Sequence, residues 1–181
     1  MPKRRFIVIP RVSSERRKYI PMGFVSPETI ISNLCLVNTD VTLYHFGIMT
    51  SAIHMAWVRQ VGGRLKSDYR YSASLVYNNY PWPTANVAQK VIVEAKAQAV
   101  LDTRALFPEA SLADLYDPNT MPPALTKAHA ELDRAVEKCY RKEPFKSDRE
   151  RVEFLFALYE KLANPLTADV PKKRRKKTAE E

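Results

Sequence analysis

The spacing of apolar residues changes near residue 40, and this change divides the chain. The run Phe6-Ile7-Val8-Ile9 is β-branched and is closed by Pro10, which is typical of a short strand. Apolar residues return at Tyr19-Ile20, and residues 30–37 are again β-rich. We therefore predict a strand-rich segment at the start of the chain.

A helical period begins after this segment. Apolar residues recur every three or four positions, at Phe46, Met49, Ile53, Trp57 and Val61. This spacing places them on one face of a helix. Gly62-Gly63 follows, and paired glycines commonly end a helix. The pattern predicts one long helix of about five turns that ends at these glycines.

Beyond Pro83 the pattern is helical almost throughout. The first helix has Thr84 or Asn86 as its N-cap, the second is entered through Pro122-Pro123, and the third begins at a capping box over 147–150. Asp117-Pro118-Asn119 is predicted to be a turn. The apolar positions of the three helices are Ala88, Ile92, Ala95 and Ala99; Leu125, Ala128, Leu132, Val136 and Cys139; and Val152, Leu155, Tyr159 and Leu162.

Strands followed by helices predict an α+β fold. We expect a β-rich N-terminal region with one long helix over residues 1–83 and an all-α helical subdomain over 84–165. Residues 166–181 contain the block Pro-Lys-Lys-Arg-Arg-Lys-Lys, which cannot bury apolar surface and is predicted to be a disordered basic tail. This tail would serve as a localisation signal or as a nonspecific attractant for phosphates.

Charge is distributed unevenly along the 181 residues, whose formal net charge is +9. Residues 1–80 carry eleven Lys and Arg against four Asp and Glu, whereas residues 81–165 carry twelve against thirteen. A cationic surface concentrated in one half is expected of a protein that binds a polyanion. A basic domain that is merely soluble is the alternative.

The sequence offers little for catalysis. His45, His54 and His129 are not grouped with other metal-ligand residues at suitable spacings, and His54 is interpreted as a half-buried helix residue. No glycine-rich phosphate loop is present among the four glycines. Cys35 and Cys139 lie among apolar residues and are predicted to be buried thiols. We expect no catalytic, cofactor-binding or metal-binding residues, no membrane span, and a cytoplasmic location.

Recognition chemistry is better supported in residues 62–83. Lys66 and Asp68 are two positions apart, so in an extended segment they would project from one face. A lysine can donate to guanine, and a carboxylate can accept from the amino group of cytosine. The two could thus read both halves of one base pair, although an ordinary surface ion pair is the alternative. The Pro-Trp-Pro stretch at 81–83 is interpreted as a packed hinge.

A second candidate contact surface precedes the long helix. Arg11, Arg16, Arg17 and Lys18 accompany Ser13 and Ser14, a mixture that suits phosphate oxygens. A basic β-turn without a ligand is the alternative interpretation.

Four separated segments resemble the C-terminal part of MmeI-like enzymes. These are IPRVSSERRKYIPMGF (9–24), FGIMTSAIHMAWVRQVGGRLKSDYRYS (46–72), VYNNYPWP (76–83) and SLADLYDPNTMPPALTKAHAELDRAV (111–136). MmeI-like enzymes join an endonuclease, an adenine-specific DNA methyltransferase, a target-recognition domain and a C-terminal helical domain. The resemblance runs collinearly from about residue 6 to about residue 163.

The resemblance implies a module that recognises double-stranded DNA. It implies that Lys66 and Asp68 help to select a base pair, for which we expect G·C, and that Arg11, Ser13 and Ser14 lie at the DNA surface. The full set of residues that we expect at the DNA is Arg11, Ser13, Ser14, Arg17, Arg64, Lys66, Asp68, Arg70 and Tyr71.

The chain departs from the whole enzyme in its missing chemistry. It has no Asn-Pro-Pro-aromatic motif for a flipped adenine, no glycine-bearing loop for S-adenosylmethionine, and no nuclease carboxylates with their lysine. The resemblance therefore implies that S-adenosylmethionine belongs to the full-length enzyme. It also implies partner methyltransferase and nuclease domains, on the same or a separate chain, and a bacterial enzyme that associates with the nucleoid when it binds DNA.

A different class of function is also open. The helical half could be a protein-interaction module whose basic tail binds DNA nonspecifically or directs localisation. A third possibility is a remnant that has lost its activity.

Overall fold

The computed structural model describes residues 4–164, so the predicted disordered tail lies outside the described residues. Strands occupy the N-terminal region and helices the rest, which confirms the predicted α+β class. The strands are β1 (Phe6–Pro10), β2 (Val12–Ser13), β3 (Gly23–Val25), β4 (Cys35–Asn38), β5 (Gly63–Leu65) and β6 (Asp68–Arg70). The helices are α1 (Leu43–Met49), α2 (Ala52–Val61), α3 (Val87–Ala105), α4 (Leu112–Leu115), α5 (Pro123–Glu137) and α6 (Asp148–Ala163), with a π-helical turn at Ala73–Tyr77.

The strands form two small antiparallel sheets. In the first sheet β1 lies between β3 and β4, and in the second β6 lies between β2 and β5. The predicted strand at residues 6–10 is confirmed as β1. Tyr19-Ile20 is irregular, and of the β-rich segment predicted at 30–37 only residues 35–37 lie in a strand, which is β4. Arg11 joins the sheets, because its N–H donates to Leu34 O and its carbonyl accepts from Tyr71 N.

The prediction of one long helix is wrong, because the chain breaks into α1 and α2 at Thr50-Ser51. Thr50 Oγ1 donates to Phe46 O at 2.8 Å, and Ser51 Oγ donates to Ile48 O at 2.6 Å. Hydroxyl groups that bond the local backbone compete with helix continuation. Ser51 then caps α2 by accepting from His54 N. The predicted helix end at Gly62 is confirmed.

Helix starts in the second half follow the sequence signals closely. Asn86, one of the two proposed caps, forms a complete capping box with Gln89, and α5 begins at Pro123 as predicted. At α6 Ser147 accepts from Glu150 N, but the Glu150 carboxylate accepts from Lys146 N instead of Ser147 N. The second half of that predicted capping box is therefore absent.

One apolar core connects the strand-rich and helical parts. Phe46 on α1 and Trp57 on α2 are buried in the same cluster as Val93 of α3, Leu132 of α5 and Leu155 of α6. Burying such side chains stabilises a fold by about 1.5–3 kcal/mol each. The helices therefore pack against the strand-rich part through this core, and β5 of the second sheet directly follows the C-terminus of α2.

The predicted buried thiols are partly confirmed. Cys139 is buried and Cys35 is half-buried, and both are free. Within residues 4–164 no helix is long and apolar enough to cross a membrane.

Candidate nucleic-acid interface

Strands β5 and β6 form a tight hairpin whose turn is Lys66-Ser67. Leu65 pairs with Asp68 at the base of the turn, and Lys66 has φ 55, in the left-handed region. The extended segment assumed for Lys66 and Asp68 is therefore wrong. Lys66 lies at the tip of the hairpin because the chain reverses there, and Asp68 is the first residue of β6.

The two faces of the hairpin have different environments. Arg64 and Tyr69 are opposite each other, and Ser13 of β2 is opposite Tyr69 on the other side. Tyr69 and Ser13 are buried, and the Arg64 guanidinium lies 4.1 Å from the centre of the Tyr69 ring. Side chains alternate along a strand, so Asp68 and Arg70 belong to the opposite, outer face. Arg70 is exposed and Asp68 half-buried.

The basic loop at residues 14–18 lies against this hairpin. Glu15 N donates to Asp68 Oδ1 at 3.3 Å, while the Ser14 hydroxyl accepts from Arg16 N within the loop. Arg16 and Lys18 are exposed. The structure thus brings together the two segments that the sequence nominated separately.

Cations dominate the exposed surface around this contact. Six of them are exposed, and in the part of the chain that the structure describes none forms an ion pair with a carboxylate. They are Arg11, Arg16, Lys18, Arg64, Lys66 and Arg70. Glu15 and Asp68 are the carboxylates at this contact, so the region keeps a positive net charge, which attracts polyanions.

Two of the nine nominated residues are not at the surface, which corrects their predicted exposure. Ser13 is 2% exposed, because β-alternation turns it inward beside Tyr69. Tyr71 is also 2% exposed, and its hydroxyl is 3.0 Å from His54 Nε2 inside the core. We assign both side chains to packing. Arg17 is half-buried, whereas Arg11 is exposed and Ser14 half-buried.

The aromatic residues next to the hairpin are structural. His54 is fully buried, not half-buried as predicted, and burial lowers its pKa to about 3. Trp82 packs edge-on against His45, Tyr77 and Tyr80, in agreement with a packed Pro-Trp-Pro hinge. Among residues 4–164 no group of three or more His, Cys, Asp or Glu side chains could hold a metal ion.

Sequence reasoning missed the side chains behind the basic loop. Tyr19 OH donates to Asp133 Oδ2 at 2.6 Å, and Arg59 Nη2 donates to Lys18 O at 3.4 Å. Asp133 is 114 residues from Tyr19 along the chain. Periodicity reports only which face of a helix is apolar, so no sequence signal could have paired them.

This chain is a target-recognition domain followed by a helical C-terminal domain. Residues 1–84 match the MmeI target recognition domain, and residues 85–167 match the MmeI C-terminal domain. The chain belongs to the MmeI-like family, of which it carries these two domains.

Two relatives support this assignment. DNA methyltransferase A of Bacillus subtilis (strain 168) is 48% identical over 156 residues, which are 86% of this chain and 18% of that protein. The structure of the Type IIL restriction-modification enzyme MmeI in complex with DNA matches with a TM-score of 0.87 and 44% identity, over 90% of this chain and 22% of that one. The chain thus spans about a fifth of the length of these relatives.

Proposed function

We propose that this chain recognises a specific sequence in double-stranded DNA on behalf of an MmeI-like methyltransferase or restriction enzyme. The observation that carries the proposal is the exposed hairpin with Lys66 at its tip, held against a basic loop through the contact between Asp68 and Glu15 N. A relative that shares this fold was solved in complex with DNA.

The arrangement suits a division of labour between the two segments. Arg16 and Lys18, with Arg11 nearby in sequence, would bind phosphates and set the register on the duplex, since phosphate contacts position a protein without reading sequence. Lys66 and Asp68 would read base edges in the major groove, with lysine donating to guanine and aspartate accepting from cytosine. Arg70 lies on the outer face with Asp68 and would contact the neighbouring base or phosphate.

The chemistry of the whole enzyme would lie in other domains. All four glycines lie in regular elements or the helix end: Gly23 in β3, Gly47 in α1, Gly62 at the end of α2 and Gly63 in β5. They do not fit a loop that holds S-adenosylmethionine. Methylation would therefore require a methyltransferase domain, on the same chain or a partner, in the bacterial cytoplasm and nucleoid.

The direct test is selection of bound duplexes from a randomised library, followed by sequencing. The wild-type chain should enrich a G·C pair at one position. Exchanging the two charges, with Lys66→Asp and Asp68→Lys together, should change the preference to C·G at that position. Because the exchange also removes the contact between Asp68 and Glu15 N, the overall affinity should fall as well. Aspartate tolerates the left-handed conformation at residue 66. An exchange that weakened binding to all sequences equally would leave these residues with a backbone role only.

A second experiment separates this proposal from a helical interaction module with an adhesive tail. Deleting residues 166–181 should lower overall affinity but preserve the site preference. Loss of all DNA binding on this deletion would favour the interaction module. The duplex should be titrated at several salt concentrations, because phosphate contacts make affinity fall steeply with salt.

A further inference from the structure

Side chains of the helices bind the end of the basic loop and the residues that follow it, over 18–22. Tyr19 OH donates to Asp133 Oδ2 on α5 at 2.6 Å, and Arg104 Nη1 on α3 donates to Met22 O at 2.7 Å. Arg59 on α2 donates to Lys18 O and forms an ion pair of 2.6 Å with Asp148 on α6. The basic loop is thus anchored at its C-terminal end by the helices.

Asp133 makes a second contact, with the N-terminus of the helix that precedes the hairpin. Its Oδ1 accepts from Ala52 N at 2.7 Å, and Ala52 is the first residue of α2. A carboxylate at a helix N-terminus satisfies a free N–H and complements the helix dipole. The other end of α2, at Gly62, leads directly into β5. One carboxylate therefore binds both the end of the basic loop and the helix that carries the hairpin.

The ring of Tyr19 is fixed independently of its hydroxyl. Tyr19 is 1% exposed, and its ring stacks on His129 with centroids 4.1 Å apart and an interplanar angle of 19°. Removing the hydroxyl alone should therefore leave the ring in place. This allows the hydrogen bond to Asp133 to be tested separately from packing.

We propose that Asp133 is a positioning residue, which fixes the basic loop relative to Lys66 and Asp68 so that phosphates and the base pair are contacted together. The proposal rests on the proposed function. Its physical basis is pre-organisation, because groups held in their bound arrangement lose less conformational freedom on binding. The C-terminal domain would thus contribute to recognition without touching the bases.

The experiment compares Tyr19→Phe with Tyr140→Phe in the full chain. Tyr140 is the matched control, because the hydrogen bonds of its buried hydroxyl go to Tyr80 OH at 2.7 Å and Pro81 O at 3.2 Å and not to the basic loop or to Asp133. The probe is a fluorescein-labelled duplex of mixed sequence, titrated by anisotropy over a series of KCl concentrations. Thermal unfolding of each variant is measured in parallel, so that loss of fold is not mistaken for loss of binding.

In Tyr19→Phe the loop loses one of its anchors, so Arg16 and Lys18 should contact phosphates together less often. The dependence of log affinity on log salt should therefore become shallower by about 1. Tyr140→Phe should keep the wild-type slope even if its unfolding temperature falls. The enrichment of one base pair from a randomised library should weaken in Tyr19→Phe and persist in Tyr140→Phe. If the Tyr19 hydroxyl only stabilised the fold, the variant would keep the wild-type salt dependence once binding is corrected for the fraction of folded protein.

Two substitutions at residue 133 complete the design. Asp133→Asn keeps an oxygen for Ala52 N and a polar partner for Tyr19, so its salt dependence of affinity should stay close to that of the wild type. Asp133→Ala keeps neither contact, so its salt dependence should become shallower, as in Tyr19→Phe. If Asp133→Ala does not fold, Tyr19→Phe still decides the question. Equal slopes and base preferences for Tyr19→Phe and Tyr140→Phe would overturn the positioning role alone. A wild-type chain without salt-dependent duplex binding would instead overturn the proposed function.

Discussion

Gly47 of α1 lies so close to Val93 of α3 that a Cβ on residue 47 would be 2.8 Å from Val93 Cγ1. It would also be 3.2 Å from Ala97 Cβ. Both neighbours are fully buried, so the added methyl group can be accommodated only if the Val93 side chain is displaced or α1 moves away from α3. This contact joins the strand-rich and helical parts of the chain.

Gly47→Ala should lower the free energy of unfolding by about 1–3 kcal/mol, the usual effect of overpacking a core. The better helix propensity of alanine would offset part of this loss. Urea unfolding monitored by tryptophan fluorescence provides the measurement. Gly63→Ala is the control, because its nearest neighbour would be Arg70 Cβ at 3.8 Å. Equal midpoints for the two variants would contradict a close approach of the helices.

The ion pair between Arg151 and Glu137 should matter more than other pairs on α6. Its side chains are 16% and 8% exposed, with N–O distances of 2.6 and 2.7 Å. Arg151→Ala would leave a buried carboxylate without its partner, which typically costs about 3 kcal/mol or more. Arg149→Ala breaks a solvent-exposed pair with Glu153 and should leave the urea midpoint unchanged. The reverse order of effects would contradict the burial of Glu137.

Stability should fall between pH 7 and pH 5 because of two buried histidines. Burial lowers the pKa of His54 and of His129 to about 3 in the folded chain, whereas an unfolded histidine titrates near 6.5. Between pH 7 and pH 5 the two histidines become protonated in the unfolded state but stay neutral in the folded state, so lowering the pH favours unfolding. Each histidine should contribute a loss of about 2 kcal/mol at pH 5, measured by urea unfolding at both pH values.

His54→Gln isolates one of these contributions. Glutamine can bond the Tyr71 hydroxyl but does not titrate, so this variant should lose about half of the pH dependence of stability. The buried polar contact would remain, so its stability at pH 7 should change less than its response to acid. An unchanged pH dependence would contradict a neutral His54 in the folded chain.

Lys66→Gly should separate base reading from folding. A lysine with φ 55 carries a steric penalty of roughly 1 kcal/mol that glycine avoids. The variant should therefore be as stable as the wild type or more stable, yet lose the preference for one base pair in library selection. Lys66→Arg keeps a cation that can bond guanine and serves as the positive control. A glycine variant that still selected the same pair would remove Lys66 from recognition.

Local signals in the sequence predicted local structure well. The β-branched run at 6–9, the Gly62 stop and the proline entry to α5 each act through neighbouring backbone, and each is found where expected. The break between α1 and α2 was not predicted, because the apolar periodicity continues across Thr50-Ser51. In the structure the two hydroxyls bond the backbone of the preceding turn. Hydroxyl groups in a periodic run are weak signals, since they also occur in intact helices.

The candidate site was predictable in composition but not in geometry. Charge and spacing nominated residues 64–71 and the basic loop as contact segments, and the structure places the two in contact. The hairpin that carries Lys66 and Asp68 was not predicted. The inward orientation of Ser13 and Tyr71 depends on strand pairing and on the position of His54, neither of which is encoded by local spacing. The partnership of Tyr19 and Asp133 depends on how distant helices pack.

The two family domains meet at residue 84 in the sequence, but they share one apolar core and should therefore unfold as a single unit. If the chain were divided at residue 84, the faces of α1 and α2 that bear Phe46, Ile48 and Trp57 would meet water. The two parts should therefore melt in a single calorimetric transition. A new target-recognition domain exchanged into such an enzyme would have to bring its helical domain with it, or match the apolar surface of the one already there.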